Sequence, residues 1–344
     1  MDRKSFIKTS SLLTGALFQI PFTRKRVRAS ELGYAFSGDA DGEKLYDTLI
    51  IGGSFAGLSA AMGLGRCRRS VLVIDEGLPR NRTSPRANNL FSRDGQNPAE
   101  ILNETRKQLA EYQEYLTRTD GAVTGIEKND HFTLTLQDGR QFRGEKVVLA
   151  GGVTDNLQDI DGLEALWGNG VYHCPYCHGW ENRDKKTVVI GQGASALGLA
   201  STITNWTDDI TYFSQGQPVE IPPESIELMK SLGVTIHSKT VSKISRSSAG
   251  VLIQLKEERN PLEFETCYAP GRITANSKLA ETLGCELRPN GAVTVDEQYM
   301  STVEGFYAIG DLSSRSNGQV IHAAYSGTVV AASINRIFIS RNFV

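Results

Sequence analysis

Cys174-Pro175-Tyr176-Cys177-His178 holds the densest chemistry in this 344-residue chain. Two thiols two residues apart in a turn can close and reopen a disulfide, passing two electrons by thiolate attack. The adjacent imidazole, whose unperturbed pKa is about 6.5, can give or take the accompanying proton. Cys174, Cys177 and His178 are therefore the candidate catalytic residues. The same letters admit other chemistry. Cys-x-x-Cys-His also spells a covalent haem attachment site, and an inert structural disulfide needs the two cysteines alone. A zinc site would need two more soft ligands, and Cys267 and Cys285 stand isolated, so no metal is expected. His178 as a packing histidine is the bland alternative to a proton carrier.

Two glycine turns flank this stretch and supply the elements that must position it. An apolar strand, Tyr46 to Ile51, runs into Gly52-Gly53-Ser54-Phe55-Ala56-Gly57 and a helix-like run to Arg66, then a strand Val71 to Ile74 ending in Asp75. In such a βαβ unit the first glycine permits the tight turn, and the second position lets the backbone approach a pyrophosphate. The last lets helix and strand pack closely, and the acid meets ribose hydroxyls. Here Ser54 replaces the middle glycine. A second copy begins at Thr187 to Ile190 and turns through Gly191, Gly193 and Ala196. Its next strand ends Tyr212-Phe213-Ser214-Gln215, with neither a carboxylate for a ribose diol nor an arginine for a ribose phosphate. Between the two units, Asp138-Gly139 between apolar runs predicts a hairpin, and Val147 to Ala150 a buried strand closing on glycine. Near the end, Phe306 to Ile309 leads to Gly310-Asp311, then Gln319-Val320 and a helical run to Phe338. Asp311 is placed to hold a ribityl or ribose hydroxyl, with a helix N-terminus beyond it.

Composition narrows the partners. Hydrophobic residues make up 40% and charged residues 22%, ordinary globular usage, and the 34 glycines suit an α/β fold rich in such turns. Residues 1–29 hold seven of the 37 Lys/Arg and one of the 39 Asp/Glu, so the remainder is net −8. An acidic body is not a nucleic-acid binder. Arg3-Lys4, a short apolar run and Val27-Arg28-Ala29 read as a signal over 1–29 resembling the twin-arginine type, with Lys4 where the second arginine belongs. It is too short for a stable membrane span. Export to the periplasm or envelope is the expectation, a cytoplasmic chain with an N-terminal extension the alternative. Residues 30–44 read as a linker.

Together these motifs, in this order, resemble the low-molecular-weight thioredoxin reductases among the FAD-dependent pyridine nucleotide-disulfide oxidoreductases, over about residues 45–340. The resemblance implies two Rossmann-like dinucleotide-binding domains, the second inserted into a split FAD domain. The FAD domain would be 45–156 plus 268–344, and an NAD(P)-type domain carrying the cysteine pair would be 157–267. It implies FAD on Gly52, Gly53, Ser54, Gly57, Asp75, Gly310, Asp311, Gln319 and Val320, and NADPH or NADH at Gly191, Gly193 and Ala196. Cys177 would face the flavin and Cys174 the substrate, a protein disulfide such as that of thioredoxin or a small molecule, in a homodimer. Two departures matter: His178 stands where those reductases carry an aspartate, and their arginine-rich phosphate reader is missing around Phe213 to Pro218. Cys174 to Glu181 is similar to the branch of dithiol oxidases of the gliotoxin type, so oxidation of a dithiol with oxygen as acceptor stands as the alternative.

Overall fold

A computed structural model describes residues 42–219 and 222–343; the expected signal and most of the expected linker lie outside the described residues. The chain opens β1 (Leu45–Ile51), α1 (Phe55–Arg66), β2 (Val71–Asp75), α2 (Pro98–Leu109) and β3 (Leu116–Asp120). It continues through β4 (Val123–Lys128), β5 (Phe132–Leu136) and β6 (Gln141–Leu149), then crosses out of this sheet on β7 (Val153–Asn156). The next stretch is α3 (Leu163–Leu166), β8 (Val171–Tyr172), α4 (Pro175–His178), β9 (Thr187–Ile190), α5 (Gly193–Ile203), β10 (Ile210–Phe213), α6 (Pro223–Ser231) and β11 (Val234–His237). A meander of β12 (Val241–Arg246), β13 (Val251–Leu255) and β14 (Leu262–Phe264) precedes β15 (Thr266–Tyr268). The chain returns on β16 (Arg272–Ala275) and ends with α7 (Lys278–Thr282), β17 (Phe306–Ala308) and α8 (Val320–Ser340).

Two parallel sheets result. In the first, β3, β2, β1, β6 and β17 are parallel, and β5 and β4 add antiparallel beyond the front half of β6. The second has the order β11-β10-β9-β15-β8, parallel throughout. Its strands lie in the chain between β6 and β17, so one Rossmann-like unit is inserted into the other. β15 carries the chain one residue past the expected 267 boundary, since Tyr268 pairs with Tyr172 and Val189. The crossing itself is the antiparallel β7–β16 pair, Val153 against Ala275 and Asn156 against Arg272.

The run after the Asp138-Gly139 turn and the strand expected at Val147 to Ala150 are one strand, β6, which ends at Leu149. Polar Arg143 to Lys146 interrupts the apolar pattern because the two halves have different outer neighbours. Phe132 faces Gly144 across the hairpin, whereas Val147 to Leu149 pair with Phe306 to Ala308. Both faces of the parallel part are covered, which is why β2 is buried along its whole length. Ile50, Val73 and Val148 meet α1 and α8 through Leu58, Leu64 and Ile334; Leu49, Leu72 and Leu149 meet Phe132, Phe142 and Phe306.

α1 and α8 cross at contact distance because small residues face each other. A Cβ on Gly327 would strike the Ala56 carbonyl oxygen and lie 2.7 Å from the Ala60 amide nitrogen, and one on Gly63 would lie 2.6 Å from the Ala331 methyl. The Ser59 hydroxyl donates to the Ala324 carbonyl at 2.6 Å across the same crossing. Gly327→Val must push the helices apart. We expect a loss of about 1–3 kcal/mol or more in denaturant-induced unfolding, with Ala332→Ser, on the exposed side of α8, as the control expected to change little.

Candidate active site

Cys174 and Cys177 are joined as a disulfide across the first turn of α4, with Cα atoms 5.3 Å apart. The first domain reaches over to this bond from two segments. Gln319, at the N-cap of α8, points its Nε2 at Cys177 Sγ (3.4 Å) and Cys174 Sγ (3.8 Å). Asn89 Nδ2 donates to Gln319 Oε1 at 3.2 Å, which fixes which end of the amide faces the sulfurs. Its neighbour Asn88 donates to the Cys177 carbonyl at 2.8 Å. Gln319 thus touches both sulfurs, with Cys177 Sγ the nearer, and the first domain also holds the Cys177 backbone. His178 stacks on Tyr172 with ring centroids 4.3 Å apart. Burial draws its pKa down, against the Glu181 carboxylate and a hydrogen bond to the Cys174 backbone, so the ring is neutral near pH 7 and able to accept a proton.

The cofactor candidates fall into three places. At the first turn Gly52 has φ +104°, and a Cβ there would strike the Ala150 carbonyl oxygen. A Cβ on Gly57 would strike the Gly52 oxygen, so Gly57 sets helix-to-strand packing. Ser54 caps α1 by position without a side-chain hydrogen bond, and no acidic residue occupies its first turn. The same bareness holds at α5 and α8. Three helix N-termini thus point unneutralised amide groups at places suited to anions or carbonyl oxygens. These features fit FAD, whose pyrophosphate Gly52 to Ser54 would hold and whose ring Gln319 and Val320 would meet.

Asp75 and Asp311 are more engaged than the sequence suggested. Asp75 accepts from the Gly53 amide (2.9 Å) and pairs with Arg118 (3.2 Å), both side chains being under a tenth exposed. It braces the glycine turn. Asp311 pairs with Arg80 at 3.1 Å. At the third place, the second fingerprint, a cleft of about 460 Å³ opens over Gln192, Gly193, Ala194, Leu197 and Tyr212 and under Gln217 to Val219, all uncharged. Gly193 has φ +67° and open space at its Cβ position. Ala196 is buried against Gly191, and the Tyr212 hydroxyl donates to the Gly191 carbonyl at 3.2 Å. Gln215, where a phosphate reader would sit, accepts from the β12 amide of Val241 at 2.7 Å. Among the described residues no group of three or more His, Cys, Asp or Glu could hold a metal, and no helix is long and apolar enough to cross a membrane.

Sequence reasoning missed Arg80, Asn88, Asn89 and His173. The signal for the first three was the 22-residue stretch between β2 and α2 without a named strand or α-helix, a length that marks loops with a task; His173 carried no signal beyond its place next to Cys174. His173, just before Cys174, stacks on Trp167 (5.6 Å) and lies 3.4 Å from Arg80 Nη2. Burial, then the Arg80 charge and His178, against Asp155, push its pKa down to about 4. Its Nε2 therefore accepts from the guanidinium. The unfolded chain protonates this ring near pH 6.5, while the folded one resists until about 4. The stability that neutral His173 contributes is complete above pH 6.5 and is lost as pH falls towards 4, by up to about 3 kcal/mol. Thermal midpoints measured from pH 7.5 to 4 should show this acid loss, and His173→Gln should flatten it.

The comparisons with known proteins agree with this geometry. The family model of the pyridine nucleotide-disulphide oxidoreductases matches residues 46–327. Thioredoxin reductase tcpT of Claviceps purpurea is 32% identical over 303 residues, 83% of this chain and 92% of that protein. Thioredoxin reductase sirT of Leptosphaeria maculans is 28% identical over 312 residues, 85% and 94% of the two chains. The crystal structure of an oxidoreductase from Agrobacterium tumefaciens superposes with a TM-score of 0.79 at 31% identity, covering 86% of this chain and 99% of that one. Enzymes of this kind use FAD and NAD(P)H. With its disulfide under Gln319 and two dinucleotide turns in one chain, the protein belongs to the pyridine nucleotide-disulphide oxidoreductase family, as an FAD-dependent disulfide oxidoreductase similar to thioredoxin reductases.

Proposed function

We propose that this protein moves electron pairs from NAD(P)H through FAD and the Cys174/Cys177 pair to a disulfide substrate. The observation that carries the reading is the closed disulfide lying under the Gln319 amide at the bare N-terminus of α8. FAD bound over the first glycine turn supplies two-electron transfer to the pair. Cys177, whose sulfur and carbonyl both touch the first domain, takes the electrons as the S–S bond opens. His178 accepts the Cys174 proton, and the Cys174 thiolate attacks one sulfur of the substrate disulfide. The other substrate sulfur leaves and takes that proton. Cys177 then attacks Cys174 in the mixed disulfide, which restores the pair and releases the second substrate sulfur. The Cys174 sulfur takes its proton from solvent when the S–S bond opens, and the second substrate sulfur takes one from solvent as it leaves, so two electrons and two protons pass to the substrate per turnover.

A second reading reverses the flow, with a dithiol reducing the pair and oxygen draining the flavin. It is favoured by the second cleft, whose lining among the described residues offers no charge to a ribose phosphate and whose Gln215 is turned onto β12. Export, proposed from residues 1–29, adds to it, because an envelope compartment offers dithiols and oxygen rather than a nicotinamide pool.

The visible spectrum of the purified protein under anaerobic conditions separates the two. In the first reading NADH bleaches the flavin at least as fast as NADPH, since nothing in the cleft rewards the extra phosphate. Bleaching by a dithiol alone, reversed by air, would establish the oxidase; no flavin spectrum would sink both. Cys177→Ser should abolish electron exchange between flavin and any thiol. His178→Ala should slow thiol exchange by about 10²-fold or more, read as turnover of a model disulfide, and should move the acid limb of its pH profile.

A further inference from the structure

Arg80 ties together four segments that are distant in the chain. It follows β2 in a 3₁₀ turn of the first domain, Arg80–Thr83. Its Nε and Nη2 bind the two oxygens of Asp155 at 2.9 and 2.7 Å, a bidentate fork. Asp155 lies on β7, the outgoing strand of the two that connect the domains. Nη1 reaches Asp311 at 3.1 Å, and Nη2 lies 3.4 Å from the ring nitrogen of His173. The side chains of Arg80, Asp155 and Asp311 are 19%, 10% and 21% exposed, so these pairs are shielded from water and worth more than surface ones. Neighbouring contacts keep the arrangement rigid. Trp167 covers His173 and hydrogen-bonds Asp155, and a Cβ on Gly168 would lie 2.6 Å from the Thr83 hydroxyl.

We propose that Arg80 is a positioning residue for the dithiol: by gripping Asp155 and His173 at once, its guanidinium holds the segment entering Cys174 against the first domain, so that Cys177 stays under Gln319 and Asn88. The fork is essential to this role. A lysine ammonium is a point charge and cannot bind both Asp155 oxygens while also reaching Asp311 and His173. The proposal rests on the reading of Cys174 and Cys177 as the working pair, but its test does not need that pair to exchange electrons with flavin.

The full-length protein is reduced with a phosphine, and alkylation of Cys174 and Cys177 by iodoacetamide is followed separately by peptide mass spectrometry. Arg80→Gln, Arg80→Lys and Asp155→Asn are compared with wild type, with circular dichroism and thermal midpoints recorded for each. We expect Cys177 labelling to rise at least fivefold in all three, because the sulfur swings out from Gln319 and Asn88. Asp155→Asn keeps an uncharged amide of the same shape and serves if Arg80→Gln does not fold. Labelling within twofold of wild type in the folded variants, or thermal midpoints that fall with labelling unchanged, would overturn the proposal. So would full recovery in Arg80→Lys, which would reduce Arg80 to its charge. Loss of flavin bleaching in the wild type alongside intact labelling differences would count against the proposed reaction and leave the clasp standing.

Discussion

The close crossing of α1 and α8 is the constraint on which the rest depends. Both helices start at glycine turns on the same edge of the first sheet, and both leave their first-turn amides uncapped. With larger residues at Gly327 and Gly63 the axes would separate. The two N-termini would then no longer face a shared space. Gly310 shows how tight that space is: a Cβ on it would lie 3.1 Å from the Ala56 methyl, while its amide donates to the Ser326 hydroxyl at 3.0 Å. A cofactor whose central pyrophosphate is joined through a sugar-alcohol chain to a polar ring matches two positive helix ends held at fixed separation.

Charge near these ends is balanced by arginine. Asp75 and Asp311 both sit at the C-terminal edge of the sheet, and each would repel a phosphate if left alone. Arg118 answers the first and Arg80 the second. Asp155 sharpens the picture: burial works against its ionisation, yet the Arg80 hydrogen bonds and charge hold its carboxyl below the usual carboxylate range. The pair is thus ionic in the folded state, and directional because it is bidentate.

Local patterns made much of this legible. The glycine turns, the hairpin at Asp138-Gly139 and the cysteine pair are each written within a few residues, and each lies where its pattern placed it. β6 was hidden because its two halves answer to different neighbours. The residues that organise the site were harder to read. Arg80 meets partners 75 and 231 residues away, and Asn88 and Asn89 meet theirs at 89 and 230. An arginine or asparagine in a long polar loop looks like solvated surface until the fold brings its partner to it. Asp75 and Asp311 were recognisable as acids at strand ends, but no spacing rule names Arg118 or Arg80 as their counter-ions.

The placement of β17 and α8 bears on how the chain acquires its fold. β6 must wait for β17, whose residues pair with it across more than 150 positions of intervening sequence. The inserted unit, by contrast, is continuous from β8 to β15. On a growing chain the inserted unit can complete its sheet while the first domain still lacks a strand and its longest helix. Such high contact order favours slow, stepwise assembly. The cysteine pair and Asn88 are thus both present on a growing chain before Gln319, the last part of the site to be made.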